Sequence, residues 1–470
     1  AVGFKAGYTN STGARFVAVG YNSLYGNTTG TDNVAVGAPG VGLSATLGSN
    51  STGSYNVALG GSALANNTTA SSNTAVGYQA GYSNTTGANN TLIGSQAGDA
   101  ITTGGSNTSL GKESLSTLTV GNENTAIGSS ALFAATTGSY NVAVGRTALF
   151  SNTTAPEGTA VGYQALYSNT TGATNTAVGR RALYSNTTGV QNVALGARAL
   201  NSNTTASYNT SVGMDALYSN TTSINNTAVG YQAGYSNTTS SGRNAYFGHV
   251  AGLNSTGSYN TFIGAGAGNQ MTTGTKNTIL GRYNGNQGSL DLRTSSNNIV
   301  LSDGDGNPRV YVDSNGTMGV GTTTFDTANT TGVALQKYVN GGYITIGKTG
   351  NSNAGEGYIN FHRNGSQIGG VSQASSSSVS FNTTSDYRLK ENVVNLEGAT
   401  ARLVQLQPKR FEWVNDTDGA VWDGFLAHEV QSIVPEAITG TKDAVDTDGN
   451  PVYQGIDQSK LVPLLVKTIQ

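Results

Sequence analysis

The sequence predicts a mainly β chain in three parts. A parallel β-solenoid or β-roll built on a 17-residue repeat occupies residues 1–283, a small β-rich connector or knob 284–384, and an α+β domain 385–470. Three observations carry this reading: glycines that recur with one step, short strand motifs that alternate apolar side chains, and a sharp rise in charge at residue 385. Residues 385–470 hold 21 of the chain's 48 charged residues, and the 384 residues before them hold 27. A change of that size marks a domain boundary.

The repeat is read first. Asn-Thr-Ala-Val-Gly occurs at 73–77, 175–179 and 226–230, and its glycine returns from Gly3 and Gly20 through Gly264 and Gly281, almost always after 17 residues. One step is 23, through an insertion near Pro39–Leu43, and one of 18 is followed by a compensating 16. Side chains alternate across a strand, so the Thr/Val and Val/Ile/Leu positions face one way and the alanine between them faces the other. The second half of the repeat, Ala-Leu-Tyr-Ser-Asn-Thr-Thr-Gly, adds a short apolar patch and then turn residues, Gly and Asn being tolerant of positive φ. A single repeat buries nothing alone, whereas stacked repeats share a continuous core. At ~4.8 Å per coil, sixteen steps span roughly 75–80 Å.

Asn-Thr-Thr recurs at Asn27, Asn67, Asn84, Asn152, Asn169, Asn186, Asn203, Asn220 and Asn237. Each is formally a glycosylation acceptor, and each also suits a stacked ladder of Asn and Thr hydrogen bonds. Tyrosines before the Ser-Asn turn (Tyr82, Tyr167, Tyr184, Tyr218, Tyr235) form a stripe that either stacks on sugar rings or covers a core edge or chain–chain contact. The Asn-Thr-Ala-Val-Gly motif resembles the head repeats of trimeric autotransporter adhesins. That resemblance implies a β-roll within a trimer, although those repeats are usually shorter than 17.

In the connector the period stops. Residues 297–302, 309–313, 317–321, 343–347, 358–362 and 379–381 read as short strands. Asp303–Asn307 looks like a calcium loop, but Ser314 stands where a twelfth-position glutamate belongs, so a hairpin turn is expected.

Composition excludes several classes. The 470 residues include no cysteine, so there is neither a disulfide framework nor thiolate chemistry. A net charge of −2 gives no electrostatic case for nucleic acid or an anionic membrane, and no apolar run reaches the ~18 residues that a spanning helix needs. No phosphate loop or dinucleotide fingerprint is present, and His249, His362 and His428 show no ligand spacing, so neither cofactor nor metal is expected.

Chemistry concentrates at Ser385–Asn392, Ser-Asp-Tyr-Arg-Leu-Lys-Glu-Asn. A serine hydroxyl needs a base, and a lysine serves only if burial or a nearby cation leaves its amine neutral. On spacing alone, Ser385 and Lys390 read as a helix cap followed by a solvated lysine. The segment Thr383–Val393, with Gly424–Ile438 and Leu461–Gln470 in the same order, closely resembles the intramolecular chaperone domain of endosialidases and phage tail fibres, peptidase S74. The resemblance implies a domain that promotes trimerisation and folding of the fibre before it and then cuts itself off. Carried onto this chain, Ser385 is the nucleophile, Lys390 its base and Thr384–Ser385 the scissile bond. Asp386 and Arg388 then form an ion pair or a trimer contact, and His428 either assists or is structural.

A helix is expected over Leu389–Leu406, ended by Pro408, then strands at 409–414 and 422–427 around an Asp-Thr-Asp-Gly turn at 416–419. A short helix at 428–434 and an amphipathic one at 459–470 follow. The opening Ala1-Val2-Gly3 fits the end of a repeat, and the last helix resembles one that leads into a coiled coil, so both ends read as truncated. The whole then reads as a homotrimeric phage tail fibre, part of a virion, with a host cell-surface glycan or protein as receptor. The alternative is a bacterial surface adhesin with autotransporter-like repeats.

Overall fold

The computed structural model describes the chain except residues 40–41, 43, 239–240, 325–331, 339–340, 348–356, 364–365, 376–377 and 415–418. The repeat insertion near Pro39–Leu43 and the turn expected at 416–419 therefore lie partly outside the described residues. The chain divides into two compact units, one of residues 1–358 with 373–378 and one of 359–372 with 379–470. The compositional break at 384/385 lies within the second unit.

The first unit is a β-solenoid. Its strands β1 (Val17–Val19) to β16 (Thr278–Leu280) are three residues each and pair in parallel with their sequence neighbours. Register is strict, as in Thr176↔Val193, Ala177↔Ala194 and Val178↔Leu195. The alternation reads as expected: the middle residue (Ala18, Ala75, Ala160, Ala177) is fully buried and its neighbours face outward. The glycine that ends each strand is held at positive φ. Its missing Cβ makes room for the next coil: at Gly145 a Cβ would stand 2.5 Å from the Gly162 carbonyl oxygen.

The core is completed by the second half of each repeat, and strand and turn trade volume there. Where the strand centres of a coil and of the next are small, the turn supplies a buried leucine such as Leu166 or Leu183, held in the left-handed region at φ 52 and 51. Where the strand centre is large, the turn has glycine. Leu92 fills the space left by Gly81 and Gly98, Tyr246 that of Gly234 and Gly252, and Phe262 that of Gly268.

Asparagines close the coil. In one column each backbone N–H donates to the preceding asparagine, as Asn73 N to Asn56 Oδ1 at 3.0 Å, and each Nδ2 donates to a carbonyl, as Asn56 Nδ2 to the Ala70 oxygen at 2.9 Å. Gly158 replaces an asparagine of this column; it still donates to Asn141 Oδ1 at 2.8 Å but offers nothing to the next coil. The nine Asn-Thr-Thr asparagines of the repeats are buried in a second column, in which Asn203 Nδ2 donates to Asn186 Oδ1 at 2.7 Å and to the Ala206 oxygen at 3.0 Å. Threonines after them donate along the stack, as Thr170 Oγ1 to the Thr187 oxygen at 3.0 Å. With the asparagine Nδ2 atoms turned inward, the native coil is a hydrogen-bond ladder at the sites that read as glycosylation acceptors. The aromatic stripe stacks as well: Phe133, Phe150, Tyr167 and Tyr184 follow one another at 5.1–5.2 Å between ring centroids.

Past β16 the solenoid carries a small hairpin, β17 (Asn286–Gln287) with β18 (Leu290–Asp291). Then β19 (Ile299–Ser302) continues the parallel stack, and β20 (Pro308–Val312), β21 (Met318–Val320), β22 (Gly332–Tyr338) and β23 (Gly341–Gly347) extend it antiparallel. Asp303–Asn307 is the expected hairpin turn: Asp303 Oδ1 accepts the backbone N–H groups of Asp305 and Asn307. These bonds hold the Asp303 carboxyl at about 2, below its ordinary value, with Arg309 assisting. β22 was not among the expected strands.

The second unit holds most of a three-stranded sheet in the order β24 (Gly357–Arg363), β25 (Ser366–Ser375), β26 (Ser378–Thr383). β25 is a further strand beyond those expected. Then come α1 (Ala399–Leu403), the hairpin β27 (Lys409–Glu412) and β28 (Val421–Gly424), α2 (Ala427–Gln431), the small pair β29 (Ile438–Thr439) and β30 (Gly455–Ile456), and α3 (Val462–Ile469). Ala399, Leu406, Val430, Val434, Ala437, Leu461 and Leu464 form its core. The helix expected over 389–406 is corrected: only Tyr387–Leu389, as one 3-10 turn, and α1 are helical. Lys390 is extended at φ −120, ψ 135, and Asn392 (φ 55) and Gly398 (φ 69) turn the chain between them. Val393, counted on the apolar face, is 76% exposed.

Candidate active site

The site forms where the sheet ends. Thr384 follows β26 and is tied to β25 twice: its N–H donates to the Ile368 oxygen at 3.2 Å and its Oγ1 to the Gln367 oxygen at 2.9 Å. The next residues turn at once. Asp386 caps the 3-10 turn, its Oδ1 accepting the Arg388 N–H at 2.8 Å, and Lys390 N donates to the Tyr387 oxygen at 3.0 Å. A carboxylate at this cap accepts an otherwise unpartnered amide. The Thr384–Ser385 peptide thus lies between a chain end fixed on a strand and a capped turn.

That turn brings the two candidate residues together. Lys390 Nζ donates to Ser385 Oγ at 2.6 Å. Five residues apart, they meet because the 3-10 turn reverses the chain and the extended Lys390 reaches back; a longer helix is not required. Both side chains are exposed in the single chain.

The charges beside them are arranged in a pair of their own. Arg388 grips Asp386 with two bonds, Nε to Oδ1 at 2.9 Å and Nη2 to Oδ2 at 2.8 Å. The Arg388 guanidinium, then its backbone amide, hold the Asp386 carboxyl below its ordinary value, with a smaller contribution from Lys390. Asp386 in turn raises Arg388. Of the two roles open to these residues, the ion pair is present.

Residues 385–439 match the family of the chaperone of endosialidase, peptidase S74. The match begins at Ser385 itself and runs through Thr439, so the serine, the lysine, the ion pair, α1, α2 and the hairpin between them all fall inside the matched segment. Behind a β-solenoid of 17-residue coils, the chain therefore has a segment similar to the chaperone of endosialidase. No curated protein and no solved structure matches the chain.

Within the segment His428 is exposed on α2. Two features were not legible beforehand. Arg402 joins α1 to the segment after α2, Nε donating to the Ile433 oxygen at 3.0 Å and Nη2 meeting Glu436 at 3.1 Å. The anchoring of Thr384 on β25 is the other; it depends on a strand that the polar, glycine-containing sequence Ser366–Ser375 did not announce.

Proposed function

We propose that the chain is a phage tail fibre whose C-terminal segment holds three copies in register while the β-structure folds, and then releases itself by one cut between Thr384 and Ser385. The observation that carries this is the 2.6 Å contact between Lys390 Nζ and Ser385 Oγ at the first residue of the matched segment. The trimer is supported by the segment's exposed apolar side chains, among them Tyr387 at 80%, Leu389 at 73%, Val394 at 87% and Trp413 at 61%. A surface of this kind marks an interface. The fibre's target is a host cell-surface glycan or protein.

The chemistry balances with one water. Lys390 Nζ, as the neutral amine, takes the proton of Ser385 Oγ, which attacks the carbonyl carbon of Thr384. The C–N bond breaks and the proton passes to the Ser385 nitrogen, leaving Thr384 as an ester on Oγ. Water hydrolyses the ester, giving a Thr384 carboxylate and a Ser385 amine. A neutral amine requires desolvation or a cation nearby. In the single chain the dyad is exposed, so association of chains is what withdraws it from water, and cutting waits for assembly.

Intact mass of the expressed full-length protein tests this, beside Ser385→Ala and Lys390→Ala. The parent yields two fragments that meet at Thr384/Ser385; Ser385→Ala stays whole, and Lys390→Ala slows cutting by ~10²–10⁴-fold, the ordinary worth of a general base. A parent that stays whole, or a Ser385→Ala chain cut at the same bond, rules out the mechanism.

A further inference from the structure

The surface of the solenoid lacks a rung near its last coils. In the column that follows each strand glycine, rings stack from coil to coil: Phe4 lies on Tyr21 and Tyr231 on His249, each pair at 5.3 Å between centroids. The column then runs His249, Ala265, Arg282. Among the described residues no ring covers the second face of His249. The neighbouring column thins at the same coil, where Gln232 and Val250 give way to Gly266. A Cβ on Gly266 would meet nothing nearer than Asn269 Nδ2 at 3.7 Å, so the space beside it is open.

The gap is a cleft of about 530 Å³, a volume usual for a ligand pocket. Ala265 and Gly266 form its floor, and His249 and Arg282 stand on either side, one coil before and one coil after. Gln287 of β17 and Asp305 of the hairpin turn complete the lining, joined by a 2.7 Å bond from Gln287 Nε2 to the Asp305 backbone oxygen. Charged side chains nearby pair off, Asp291 with Arg293 and Asp303 with Arg309. Arg282 and Asp305 do not. Among the described residues neither has a side-chain hydrogen bond or an ion pair.

We propose that this cleft binds a neutral pyranose of a host-surface glycan, its ring taking the place of the absent rung. The two walls stand two coils apart, ~9.6 Å, which leaves room for one layer between imidazole and guanidinium. A pyranose fills such a layer with its C–H faces, and so would an aromatic ring; the polar lining decides between them. A sugar hydroxyl accepts from Arg282 and donates to Asp305, whereas an apolar ring does neither and strips water from both charges. One guanidinium and one carboxylate balance, so an acidic sugar is repelled as much as it is attracted. The proposal rests on the reading of the chain as a fibre with a surface receptor, and adds the receptor's chemistry and its place on the solenoid.

Saturation-transfer NMR of the full-length protein tests it, with the methyl glycosides of glucose, galactose, mannose and N-acetylglucosamine as probes and methyl glucuronide as the acidic comparison. At least one neutral glycoside is expected to bind. Ala265→Tyr restores the rung with a residue that the column already carries at Tyr163 and Tyr231, and should abolish that binding. Arg282→Ala should weaken it roughly tenfold or more, the worth of a hydrogen bond to a charged group. Both positions are exposed, so neither change reaches the core. Binding of no neutral glycoside, or of the glucuronide alone, overturns the proposal, as does a neutral glycoside that binds Ala265→Tyr as well as the parent. Cutting at Thr384–Ser385, read in the same samples, reports on the fibre reading separately: its absence beside intact glycoside binding overturns that reading and leaves the site standing.

Discussion

On the proposed mechanism, Arg388 decides whether Asp386 competes for Lys390. The carboxylate lies four residues from the lysine, and a free anion beside an amine favours its protonated form. The bidentate grip of Arg388 occupies both carboxylate oxygens, so the lysine is spared a strong anionic partner. On the proposed mechanism Arg388 is a positioning residue. Arg388→Ala is predicted to slow cutting about tenfold or more at neutral pH, with much of the rate regained as pH rises. Asp386→Asn combined with it should cut at neutral pH at near the parent's rate. The rate–pH profile of the three proteins checks this, and a purely structural ion pair would give a loss that pH does not repair. The pair itself persists across that range. The Asp386 carboxyl is lowered in the folded chain, so its contribution is complete above the ordinary carboxylate value and is lost only as pH falls through the lowered one.

Among the elements, the coil is the unit that the sequence specifies most fully. Its strand, turn and ladder positions recur every 17 residues, so each reading was repeated and tested by the next coil. Alternation alone set alanine and its two neighbours on opposite faces, and the structure puts the alanine inside. The trade between turn and strand was not legible, because it joins residues of successive coils: Gly234 and Gly252 make room for one ring, Tyr246. Tyr246→Ala is predicted to cost ~3–5 kcal/mol, as large-to-small changes of a buried ring do. Adding Gly252→Leu should return ~1–3 kcal/mol, the gain in packing exceeding the ~1–2 kcal/mol of a left-handed leucine, which Leu166 already tolerates at φ 52. Urea unfolding of both single variants and the double one measures the coupling; additive losses would mean that the two sites do not share space.

The C-terminal elements were less legible, for a physical reason. Val393, Leu396, Leu403 and Leu406 have helical spacing, yet Asp386 starts a 3-10 turn, and Asn392 and Gly398 adopt positive φ before α1 begins. Apolar spacing cannot register those turns, and Val393 points to solvent. Likewise β25 contains Gly369 and Gly370, which weaken a strand pattern. A Cβ on Gly370 would stand 2.3 Å from the Ile359 oxygen, so close approach to β24 requires the glycine. Ser385 and Lys390 were found by residue type and resemblance. Their contact comes from the turn, which spacing left open between a dyad and a solvated lysine.

At the scale of the whole molecule, the proposed function makes assembly and cutting one sequence of events. Long-range pairing is slow because distant contacts must form before they stabilise anything, and in-register chains gain from a template at one end. Removing the template after folding leaves a trimer separated from its unfolded chains by a kinetic barrier. The cut trimer is then expected to unfold more slowly than it could refold without its C-terminal segment, which refolding of cut and uncut (Ser385→Ala) protein would compare.

The most direct measurement follows refolding of the full-length protein at several concentrations, reading native mass and cleavage in the same samples. Trimer should precede cleavage at every concentration, with the monomer uncut and the onset of cutting delayed by dilution. Cutting of monomer at a rate independent of concentration would contradict the account, as would a stable trimer with Ser385 and Lys390 intact that never cuts.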